Sequence, residues 1–136
     1  MRNPDLARDH LERAARRLKA VDVLHEERGW ADVVRESQEV VELALKGLLR
    51  RCDVEAPRVH DVSDILRENA ARLPKPAASA LDELCEISQS LRRDRELSFE
   101  GSEDLTPSDF YREADAREAR RQARRVVDVV RKAFEA

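Results

Sequence analysis

The stretch Trp30-Ala31-Asp32-Val33-Val34-Arg35-Glu36-Ser37-Gln38-Glu39-Val40-Val41-Glu42-Leu43-Ala44-Leu45-Lys46-Gly47-Leu48-Leu49-Arg50-Arg51 decides the fold. Its apolar residues return at helical spacing, as Trp30, Val33/Val34, Val40/Val41, Ala44/Leu45 and Leu48/Leu49, with Ser37 in the same line. Arg35, Glu39, Lys46 and Arg50 fall on other faces. No other apolar stripe in the chain is as long, and a helix with one broad apolar face must bury it against other elements. A central core helix is expected here, separated by Gly29 from the helix before it.

Working outward, Asn3-Pro4-Asp5 opens a first helix by a capping residue and a proline at an early helical position. Leu11, Ala14/Ala15, Leu18, Val21 and Leu24/His25 then repeat at helical spacing. Beyond the central helix, Asp53-Val54-Glu55-Ala56-Pro57-Arg58-Val59-His60-Asp61 has no helical period and reads as a loop. That loop delivers His60 and Asp61 to a short third helix carrying Val62, Ile65, Leu66 and Leu73, with Ser63 or Asp61 as its cap. Pro74-Lys75-Pro76 ends it and opens a fourth helix through Ala77, Leu81, Leu84, Ile87/Ser88 and Leu91. From Glu96 to Tyr111 there is no Lys or Arg, five acids occur, and Gly101, Ser102, Thr106, Pro107 and Ser108 supply turn chemistry, so an irregular segment is expected. A last helix, from about Asp109 to Glu135, aligns Ala116, Ala119, Ala123, Val126/Val127, Val130 and Phe134 beneath a mostly basic exterior.

Composition agrees with this reading. Charged residues make up 40% of the 136, aromatics 4%, and there are only 3 glycines, the profile of a helical bundle of one-domain size. The expected architecture is all-α: an up-and-down bundle of four main helices plus one short helix, spanning residues 1–136 as a single domain. The formal charge of −3 excludes a global basic field, so nucleic-acid or membrane binding would need a local patch. Cys52 and Cys85 lie within helical patterns without metal-ligand spacing and are expected as reduced, packed thiols. The Met1-Arg2-Asn3-Pro4 start is unlike a signal sequence and no apolar run approaches membrane-spanning length, so a cytoplasmic location is expected.

Several motifs together resemble one family. Ser37-Gln38-Glu39-Val40-Val41-Glu42-Leu43-Ala44-Leu45-Lys46-Gly47-Leu48-Leu49 looks like the HEPN signature of Gln or Ser, then Glu, then Ala-x-Lys-Ala/Gly-Leu-Leu. Pro57-Arg58-Val59-His60-Asp61-Val62 is similar to that family's Pro-x-x-His-Asp-Leu, and Leu91-Arg92-Arg93-Asp94-Arg95-Glu96-Leu97-Ser98-Phe99-Glu100-Gly101 to its arginine-containing turn. Phe110-Tyr111-Arg112-Glu113-Ala114-Asp115-Ala116-Arg117-Glu118-Ala119 resembles the opening of its closing helix. The resemblance implies a HEPN-like bundle that pairs as a homodimer. For small prokaryotic members it also implies a minimal nucleotidyltransferase partner within toxin–antitoxin or stress modules.

Active ribonucleases of the family are known for an Arg-x4–6-His motif that cleaves RNA without a metal. Here Arg92, Arg93 and Arg95 are followed at that interval by Leu97 to Gly101, and no histidine occurs after His60. Ser98 is no substitute, because a hydroxyl does not exchange protons near neutral pH as an imidazole does. No catalytic residue is assigned, and no cofactor or metal is expected. The favoured reading is a noncatalytic subunit whose Arg92, Arg93 and Arg95 bind a nucleotide or the transferase partner, since guanidinium groups hold phosphate bidentately. Gln38, Glu42 and Lys46, spaced i, i+4 on the flank of the buried stripe, are the signature's polar line, of which Glu42 and Lys46 alone would make an ordinary solubilising pair. His60 and Asp61 are read as a helix cap, with Asp61 accepting backbone N–H bonds and His60 packing over the helix start. The alternative is a metal-independent RNase toxin with an atypical site in which His60 serves across an interface.

Overall fold

The computed structural model describes the backbone of residues 4–100 and 110–136, and the side chains of 4–90 and 110–136. The elements are α1 (Pro4–Glu26), α2 (Trp30–Arg51), α3 (Ser63–Glu68) with a 3-10 turn at Ala70–Arg72, α4 (Lys75–Ser79), α5 (Leu81–Glu100) and α6 (Glu113–Glu135). Among the described residues there is no strand. Four long helices make the bundle, as the apolar spacing implies, and α2 is its axis: α1 and α6 both pack along it.

Three segments differ from the sequence reading. The short helix before the prolines breaks at Asn69, whose side-chain amide donates to the Ile65 carbonyl at 2.9 Å and competes with helix continuation. The expected fourth helix is two, α4 and α5, divided at buried Ala80, whose N–H bonds the Ala77 carbonyl in a tight turn. Finally, α5 continues to Glu100 where an irregular segment was expected from Glu96. The reason is local: residues 91–100 contain neither Gly nor Pro, and the turn residues begin only at Gly101. The rest of that expected loop, 101–109, and the Asn3 cap lie outside the described residues. The last helix starts at Glu113, after the Arg112 N–H bonds Asp115 Oδ2 at 2.9 Å.

The core is built from the stripe that opened the reading. Val33, Val40, Val41, Leu45, Leu48 and Leu49 of α2 are buried against Leu66 of α3, Leu84 of α5 and Val126 and Val127 of α6. Helix α1 contributes small side chains at seven-residue spacing, Ala7, Ala14 and Val21, all fully buried. Gly47 faces them: a Cβ there would stand 3.0 Å from His10 Cβ and 3.2 Å from the Ala7 carbonyl oxygen, so the absence of a side chain sets how closely α1 and α2 approach.

Both long N-terminal helices end in the same way. Gly29 N–H bonds the Leu24 carbonyl and Arg28 N–H that of His25, while Arg28 takes φ 63. Val54 N–H bonds Leu49 and Asp53 N–H bonds Arg50, with Asp53 at φ 61. These are Schellman motifs whose left-handed position holds a residue other than glycine. Gly29 does mark the end of α1, but Arg28 takes the left-handed turn.

Candidate functional site

The polar line of α2 is where the fold gathers its chemistry. Glu42 Oε1 accepts a hydrogen bond from Lys46 Nζ at 2.8 Å, one helical turn on, and Glu42 Oε2 meets His60 Nδ1 at 2.8 Å. Lys46 and Glu42 are only 18% and 13% exposed, so this is a mostly desolvated pair and not a solubilising one. Burial pushes the Glu42 carboxyl up, but the hydrogen bonds and charges of Lys46 and His60 outweigh it and hold Glu42 below its ordinary range. One turn earlier Gln38 is buried, and its Nε2 amide has no hydrogen-bond partner among the described residues. A buried amide without a partner costs free energy of about 1–3 kcal/mol; His25 Nε2, Ser37 Oγ and Arg50 Nε are buried in the same way.

His60 reaches α2 because both ends of its loop are fixed. The left-handed turn at Asp53 starts the loop, and Val54 packs against the core. At the other end Ser88 of α5, fully buried, accepts the Val62 N–H at 2.8 Å and donates its hydroxyl proton to Asp61 Oδ1 at 3.0 Å. Asp61 Oδ1 also accepts the Ser63 N–H at 2.9 Å, the turn geometry that opens α3. Cys85 adds a thiol hydrogen bond to the Ser63 carbonyl at 3.6 Å. Asp61 therefore ties α3 to α5, while His60 is turned to Glu42. Beside the expected cap at Asp61, His60 makes a bond that the sequence reading did not include: the carboxylate at its imidazole comes from a residue 18 positions earlier.

Glu42 holds His60 through Nδ1, on a side chain that is 51% exposed. Arg92 lies one helical turn and Arg95 two turns beyond Ser88 along the α5 backbone, with Arg93 between them; their side chains lie outside the described residues. The thiols of Cys52 and Cys85 are free, and burial pushes both up, which disfavours the reactive thiolate. Among the described residues, no group of three His, Cys, Asp or Glu could hold a metal ion, and no helix is long and apolar enough to cross a membrane. Sequence reasoning found each member of the cluster but not the Glu42–His60 pairing or the part of Ser88. Spacing along one helix predicts partners on that helix, whereas these meet across three elements.

An all-α bundle organised around one central helix, with a polar line on that helix met by a histidine from the following loop, defines the class. A family model for the HEPN domain matches residues 7–133, and the chain belongs to the HEPN family. Neither the curated proteins nor the solved structures give a match. Membership supports a general nucleotide- or RNA-related role of regulatory or toxin type, and HEPN domains commonly dimerise.

Proposed function

We propose that this protein is a noncatalytic HEPN subunit of a toxin–antitoxin or stress module, acting as a homodimer that binds a nucleotide or a nucleotidyltransferase partner. The observation that carries this reading is the mostly desolvated Glu42–Lys46–His60 cluster, on a helix that belongs to the family signature. Arg92, Arg93 and Arg95 follow on from Ser88, the α5 residue that pins the adjoining loop, and supply the cations for a phosphate. The absence of any histidine after His60 removes the proton carrier that the family's RNase motif requires.

A second reading has one observation behind it. A carboxylate on Nδ1 orients a His60 imidazole that is 51% exposed, a pairing that a general base uses, which favours a metal-independent RNase with an atypical site. The deciding experiment follows cleavage of a labelled tRNA in excess EDTA by the purified dimer and by Arg93→Ala and His60→Ala, and measures ATP binding to the same proteins by calorimetry. The expected result is no cleavage, with ATP binding lost in Arg93→Ala. Cleavage that disappears in both variants overturns the binding role and establishes the RNase.

A further inference from the structure

A groove of about 590 Å³ runs between α1 and α6, lined by Ala15, Leu18, Lys19 and Asp22 on one side and Arg124, Arg125, Val127, Asp128 and Arg131 on the other. Its residues are distinct from those of the α2–His60 cluster. Most of the basic exterior of α6 is neutralised within the chain: Arg117 pairs with Glu113, Arg121 with Glu118, and Arg125 with Glu83. The groove is the exception. Among the described residues Lys19 and Arg131, both exposed, have no ion-pair or hydrogen-bond partner, and a single carboxylate oxygen, Asp22 Oδ1, is shared by Arg120 and Arg124 at 2.8 Å each. Positive charge therefore exceeds negative on this one face of a chain whose formal net charge is −3.

We infer that this groove binds an organic phosphate, with the phosphoryl group held by Lys19, Arg124 and Arg131 and an apolar body seated on Ala15 and Leu18. Three features specify that chemistry. Asp22 uses one Nη of Arg124 and so orients its fork, leaving other N–H donors of the guanidinium for a ligand, and phosphate oxygens match that fork. Ala15 and Leu18 give the α1 side of the groove an apolar stretch, which suits a flat body better than a second hydrated charge. The volume lies within the roughly 300–1,000 Å³ typical of small-molecule clefts. Asp128, the remaining carboxylate of the lining, is drawn off by Lys132 at 3.3 Å. The inference does not rest on the proposed role of Arg92, Arg93 and Arg95.

The test is a titration of the ¹⁵N-labelled full chain with AMP, adenosine and inorganic phosphate, read from amide shifts at Leu18, Lys19, Val127 and Asp128. AMP is expected to move these signals and adenosine to move them far less. The Lys19→Gln/Arg131→Gln variant, whose altered side chains are exposed and unpartnered, is expected to weaken AMP by about tenfold or more, and Asp128→Asn to tighten it. Because the readout is by residue, AMP bound near the arginine segment of α5 would move the Ile87 and Ser88 amides and leave the groove signals in place, which separates the two sites. Absence of shifts up to about 10 mM AMP overturns the inference. So does binding that ignores the double variant, or groove shifts produced by a labelled oligoribonucleotide or an acidic peptide and not by AMP.

Discussion

At the scale of single residues, Glu42 matters most. Its carboxylate is mostly desolvated yet held below its ordinary range, because two hydrogen bonds favour the charged form more than burial penalises it. A carboxyl whose folded value is lowered contributes stability that is fully present above its unfolded value and is lost as pH falls through the folded one. Glu42→Gln should therefore be less stable than the parent at neutral pH by about 1–3 kcal/mol, and the gap should close as the pH falls below the ordinary carboxylate range. Urea denaturation at a series of pH values checks this. A gap that is constant with pH would mean that the Glu42 charge does not stabilise the fold, and the cluster would then be packing alone. Nothing in the sequence specified this balance. The i, i+4 spacing of Glu42 and Lys46 was legible, whereas the His60 contact depends on a loop whose path is fixed by Ser88, a residue with no distinguishing pattern around it.

At the scale of the elements, the long helices were legible and their breaks were not. Apolar periodicity reports a face that must be buried, so α1, α2 and α6 could be read from Ala14, Val21, Val40, Leu48, Val126 and their neighbours. Asn69 and Ala80 interrupt helices without Gly or Pro, through a side-chain bond to the backbone and a buried tight turn, and neither leaves a periodic trace. The two Schellman ends yield a test. Left-handed backbone costs an L-residue about 1–2 kcal/mol, less for Asp, whose short polar side chain bonds locally. Arg28→Gly is expected to raise stability by about 1 kcal/mol and Asp53→Gly by less, because glycine reaches that region freely. Thermal unfolding of both single variants measures it. A loss of stability in Arg28→Gly would show that the arginine side chain contributes more at this corner than its backbone costs.

At the scale of the whole molecule, the bundle depends on how closely α1 approaches α2, and Gly47 sets that distance. Two effects oppose each other there. Alanine is the better helix former by about 0.5–1 kcal/mol in a helix interior, so propensity alone makes Gly47→Ala stabilising. Against it, the new Cβ meets His10 Cβ at 3.0 Å and the Ala7 carbonyl oxygen at 3.2 Å, a backbone atom and a side-chain root that cannot rotate away. Relief requires α1 to shift, but α1 is tied to α2 by Arg17–Glu36 at 3.0 Å and to α6 by Asp22 with Arg120 and Arg124. Its buried face, Ala7, Ala14 and Val21, is already closed against the core. Overpacking a well-packed contact costs about 1–3 kcal/mol, which exceeds the propensity gain. Gly47→Ala is therefore expected to lower the urea midpoint, and Gly47→Leu to lower it much further. The displacement of α1 should also be transmitted to the Asp22 clamp, so that AMP binding in the α1–α6 groove weakens in Gly47→Ala although no groove residue has changed. A Gly47→Ala protein with a raised midpoint would mean that α1 yields easily, and the close approach would no longer explain why glycine stands at this position.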